Sequence, residues 1–99
     1  MSYNIRYNWI RWQLNRLDRK KARIYVHEHA IEKEAYENLT VSHILETVKT
    51  GKVAINKCEY PEKICFKRYF GKEKRSCVVI TRFEKRHIKA ITIWQTAGN

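Results

Sequence analysis

The hydrophobic pattern of this chain changes period once, at Gly51, and that change limits what it can fold into. Before Gly51 the apolar residues recur at helical intervals. Ile10, Leu14 and Leu17 stand at i, i+4 and i+7, and Val41, Ile44, Leu45 and Val48 form a second stripe. After Gly51 the pattern alternates, and Val, Ile, Phe and Tyr take over. Residues 53–58, 64–70, 76–83 and 87–95 read as four strands, separated by turns at Tyr60-Pro61, Gly71-Lys72-Glu73 and Glu84-Lys85-Arg86. Connections this short allow only antiparallel neighbours. The expectation is one α+β domain over residues 1–99, with a mainly helical half to residue 51 and a β-meander from residue 52. Its N-terminal helices would pack on one face of a four-stranded antiparallel meander and leave the other face to a ligand.

The helical half resolves further. Residues 5–21 read as a basic amphipathic helix in which Trp9 and Trp12, three apart, dock on the domain. Residues 23–27 form a short extended piece. Residues 28–37 suggest a second helix through Ala30, Ile31 and Ala35, closed near Asn38. Thr40 is a good N-cap for a third, and Gly51 stands at its stop. In the last strand Ile88, Ala90, Thr92 and Trp94 alternate with Lys89, Ile91, Ile93 and Gln95. Both sides are partly apolar, which places that strand centrally or under cover.

The chain has a formal charge of +11, unevenly distributed. Residues 1–26 carry seven Arg or Lys against Asp18, residues 27–51 two against five Glu, and residues 52–99 twelve against four. Ion-pair networks alone would leave these segments closer to balance. Such a surface attracts polyanions, and the commonest intracellular one is nucleic acid, RNA or DNA. Hydrophobic residues make up 43% of the chain, enough for a core. No apolar run is long enough for a bilayer, and no signal peptide is expected.

Three cysteines, with no C-x-x-C pair, point to a reducing compartment and so to the cytoplasm. Cys58 and Cys65 flank a hairpin-like segment and could face each other across two strands, which leaves a disulfide between them open. His27-x-His29 with Cys58, Cys65 and Cys77 does not have the spacing of a zinc finger or ribbon, so no metal or other cofactor is expected.

The stretch His29-Ala30-Ile31-Glu32-Lys33-Glu34-Ala35-Tyr36-Glu37-Asn38-Leu39-Thr40 is followed by Val48, Gly51 and a closing Ile91-Thr92-Ile93-Trp94. Over residues 27–94 this resembles a family of small bacterial and archaeal proteins grouped with the RelE and barnase-like ribonuclease toxins. Those proteins pair a His-Ala helix with a Gly-ended helix and a Val-Thr-Val-aromatic strand. The resemblance implies an antiparallel sheet that serves as an RNA platform, cleavage through the 2′-hydroxyl without metal, and a small antitoxin or other protein partner. The family's helix histidine matches His29, the basic residue four further on matches Lys33, and the closing threonine matches Thr92. Glu37 stands where the family carries a second basic residue, and it puts a negative charge where an anionic substrate would be held. Size and composition alone also resemble short basic proteins of viruses of hyperthermophilic archaea, which would place the chain in a host cytoplasm.

Metal-free cleavage needs a base, an acid and cations for the developing phosphorane charge. His27, His29 and His87 are candidates for proton transfer, with Tyr69 as an acid. A binding role needs fewer assumptions. Lys67, Arg68, Arg75, Arg82, Lys85 and Arg86, with Lys33, could hold backbone phosphates without reading sequence, and aromatic rings could stack bases. Since adjacent strand residues face opposite sides, one of Tyr69 and Phe70 must pack inward. His43 reads as a surface or boundary residue. A dimer is compatible with the sequence.

Overall fold

The computed structural model describes residues 3–31 and 39–98. Its elements are α1 (Tyr3–Arg16), β1 (Arg23–Val26), α2 (Val41–Thr50), β2 (Lys52–Val53), a 3-10 turn (Ile55–Lys57), β3 (Lys63–Phe70), β4 (Arg75–Phe83) and β5 (His87–Ala97). Residues 28–31 form a helical turn, and the rest of the expected second helix, with Lys33, Ala35 and Glu37, lies outside the described residues.

The α+β class holds, but the sheet has five strands and is mixed. Its order is β1-β5-β4-β3-β2. The three long strands form the expected antiparallel meander. The extended piece at residues 23–27 becomes β1, which pairs in parallel with β5 from Arg23↔His87 to Val26↔Ala90. The short-connection argument does not reach β1, because helical segments intervene before any partner strand and leave its direction free. The expected first strand shrinks to Lys52–Val53, beyond which the chain turns through the 3-10 segment.

Each helix ends for a local reason. α1 stops at Arg16 because Asp18 gathers the following turn: its carboxylate accepts from Lys20 N–H, and its carbonyl accepts from Lys21 and Ala22. α2 opens on a capping box in which the Thr40 hydroxyl accepts from His43 N–H and the His43 ring accepts from Thr40 N–H. Its buried face is Ile44, Thr47 and Val48, whereas Val41 is exposed. Full burial of Ile44 and Val48 contributes about 1.5–3 kcal/mol each. Gly51 ends the helix in extended backbone at φ −70. Space is what requires glycine there, since a Cβ would come within 2.9 Å of the Lys67 carbonyl oxygen.

Strand pairing sorts the sheet into two faces. Phe66, Arg68, Phe70 and Cys77 share the face under α2. There Arg68 meets Glu46 at 2.7 Å, and His43 meets the Phe70 ring edge-on at 4.7 Å. A register shift at Ile80/Thr81 pairs Thr81 with Ala90 but Ile80 with Thr92, so Ile91 is the extra residue of a bulge. The bulge corrects the simple alternation expected for the last strand. Ile88, Ala90 and Ile93 share the α2 face, all fully buried, and Trp94 moves to the face of Lys89. β5 lies between β1 and β4, central as expected.

Candidate nucleic-acid interface

The face turned away from α2 is not uniformly open. At its middle Cys65 and Val78 are buried, and Lys57 of the 3-10 turn lies 5.3 Å from the Trp94 ring. Cations stand on either side of this apolar centre. Toward the start of β3, register places Tyr25, Lys89, Arg82 and Lys63 in one row across β1, β5, β4 and β3. Neighbouring strands stand about 4.8 Å apart, so the three cations form a ridge about 10 Å long. Tyr25 ends the row, 46% exposed, with its ring edge-on to His87 at 4.9 Å.

Two of these cations have carboxylates nearby. Glu62 lies 3.5 Å from Arg82, and Glu59 lies 3.7 Å from Lys63. Both pairs are loose and solvated, the kind worth less than about 1 kcal/mol. The Arg82 Nε is buried without a hydrogen-bond partner among the described residues, so it is the terminal nitrogens, one of them 3.5 Å from Glu62, that can face a ligand. Lys89 has no ion-pair partner among the described residues.

Toward the other end of the same face lie Lys67, with Lys52 directly opposite it on β2, and Tyr69, two residues along β3. Of the remaining expected contacts, Arg68 points to the α2 face and is committed to Glu46. Arg75 is exposed at the start of β4, and Lys85 and Arg86 are exposed in the turn between β4 and β5. That turn is held by Arg16, which donates to the carbonyls of Glu84 and Lys85.

The four expected proton-transfer groups do not come together. His27 caps the helical turn, its Nδ1 accepting from His29 N–H at 3.1 Å, while its own N–H joins β1 to the Ala90 carbonyl. His29 is exposed. His87 begins β5, about 13 Å along the sheet from His27. Tyr69 sits three strands from β1 and several residues along, on the order of 20 Å from His27. Thr92 lies beside the bulge.

Of the histidines, His43 has the densest set of partners: Thr40 at Nδ1, Glu73 3.3 Å from Nε2, and the Phe70 ring. The Nδ1 contact with Thr40 closes the α2 cap, while the Nε2 contact with Glu73 ties α2 to the turn between β3 and β4. The Thr-x-x-His spacing was the available signal for this. The three cysteines are free, and the Cys65 N–H donates to the Cys58 sulfur at 3.3 Å. The expected proximity holds, without a bond between them.

Trp9 docks as expected, edge-on to Tyr60 at 5.4 Å, but Trp12 is 59% exposed with Arg16 against its ring. No helix among the described residues is long and apolar enough to cross a membrane. No family model, curated protein or solved structure matches the chain.

Proposed function

We propose that this protein binds nucleic acid through backbone phosphates, with little sequence specificity, on the sheet face turned away from α2. The observation that carries this reading is the row Lys89–Arg82–Lys63, three cations set side by side by strand register and ended by the exposed Tyr25 ring. A polyanion laid across the row displaces Glu62 and Glu59 at small cost, because both pairs are exposed. The interaction is electrostatic and positions the strand without reading it.

Each neutralised phosphate releases counterions, so the logarithm of the binding constant falls by roughly 0.7 to 0.9 per logarithm of salt for each contact. Replacing Lys63, Arg82 and Lys89 together with Glu flattens that slope by two to three contacts and weakens binding to all sequences alike. Lys49→Gln, on α2, leaves the slope unchanged. Binding that is undetectable at about 0.1 M salt, or indifferent to the triple replacement, overturns the reading. The metal-independent ribonuclease alternative has less support, since His27, His29, His87 and Tyr69 are spread over the sheet rather than gathered on one phosphate. RNA cleavage in EDTA that is lost in His29→Ala would restore it.

A further inference from the structure

Three of the sheet's cations have a carboxylate beside them: Glu59 for Lys63, Glu62 for Arg82 and Glu46 for Arg68. Among the described residues, Lys52 and Lys67 form a facing pair in which neither does. They are direct cross-strand partners on β2 and β3, so their side chains leave the same face side by side. Neither has an ion-pair partner among the described residues. Like charges directly opposite each other destabilise a strand pair. Gly51, just before β2, permits the close approach to the Lys67 backbone, where a Cβ would clash.

The two lysines line a cavity of about 410 Å³. Val53 and Ala54 supply apolar wall, Tyr69 is 39% exposed, and Thr50 and Arg68, the latter paired with Glu46, also line it. That volume is in the range of small-molecule sites. A paired positive charge beside an aromatic ring suits a ligand with a compact anion on a flat body.

We propose that this cavity is a phosphomonoester site, in which Lys52 and Lys67 bridge one phosphate and Tyr69 stacks the attached nucleobase. The phosphate relieves the repulsion between the lysines, so the arrangement that costs stability in the free protein is the one that binds. The choice of a nucleoside over another aromatic anion rests on the nucleic-acid reading above. The same chemistry is presented by a free mononucleotide and by the phosphorylated end of a strand.

The test uses the full chain with AMP, adenosine and inorganic phosphate by calorimetry, and with single-stranded oligonucleotides whose ends carry either phosphate or hydroxyl. A strand-end site binds the end-phosphorylated oligonucleotide at least tenfold tighter than its hydroxyl counterpart. A mononucleotide site binds AMP but does not discriminate between strand ends. Lys67→Glu abolishes either preference while raising the melting temperature of the free protein, a combination that a purely structural lysine would not give. Tyr69→Leu weakens AMP at least tenfold and leaves inorganic phosphate unchanged. AMP binding without any oligonucleotide binding supports the cavity site and overturns the proposed function. Salt-dependent oligonucleotide binding with no end preference and no AMP binding does the reverse.

Discussion

Burial, and then the neighbouring Cys58 sulfur, push the Cys65 thiol from 9.0 up to about 12. Burial raises Cys58 and Cys77 in the same direction. These sulfurs are packing groups, and the nearness of Cys58 and Cys65 that was legible from their spacing is a contact between an amide and a thiol. Above pH 9 the unfolded chain ionises Cys65 while the folded chain keeps it protonated. The stability contributed by the buried thiol is therefore complete below pH 9 and is lost as pH rises toward the folded value. The slope has an upper bound of about 1.4 kcal/mol per pH unit. In urea titrations, the stability difference between wild type and Cys65→Ala should shrink from pH 9 upward. A difference that stays constant with pH would mean that the thiol ionises as readily in the folded chain as in the unfolded one.

Elements are joined here by a few long cations that reach backbone carbonyls. Arg19 donates to Gly51 O at 2.6 Å and Val48 O at 3.2 Å, with its guanidinium 4.8 Å from the Phe66 ring. It thus satisfies the last carbonyls of α2 from the turn that follows α1. Arg19→Met keeps most of the stem packing but leaves both carbonyls without this partner, and the expected loss is about 1.5–3 kcal/mol in chemical denaturation. A loss under 0.5 kcal/mol would show that water replaces the guanidinium without penalty.

At this scale α2 was legible from Thr40 and its apolar stripe, and the three long strands from alternation, because those signals are local. β1 was legible only as extended, since its parallel partner lies more than sixty residues away. The β5 bulge leaves no mark in a period-two pattern, because Ile91 and Ile93 are both apolar and either could face inward. The end of α1 was overestimated because Arg19, Lys20 and Lys21 are all good helix formers, and the Asp18 side chain decided against them.

For the whole molecule, charge was legible as an amount but not as a surface. Lys67 and Arg68 are neighbours in sequence yet point to opposite faces, and Arg68 is neutralised. Lys63, Lys89 and Lys52 carried no signal, because their alignment exists only once the strands pair. The excess of +11 must repel itself in the folded state, and self-repulsion and ion pairing respond oppositely to salt. If the surface ion pairs dominated, screening would weaken them and added NaCl would lower the melting temperature. Three acid–cation pairs involving Lys or Arg are found among the described residues, and all have exposed carboxylates, so each contributes little. Repulsion within the cation ridge is offset only by the two loose pairs at Arg82 and Lys63, and that between Lys52 and Lys67 by no carboxylate among the described residues. The melting temperature should therefore rise as NaCl goes from about 0.02 to 0.5 M, by an amount on the order of 1 kcal/mol, or about 4–8 °C. Replacing Lys63, Arg82 and Lys89 with Glu should remove much of that rise. A melting temperature that falls with salt would mean that the positive surface is held together by its carboxylates and is a stabilising network rather than an unsatisfied site.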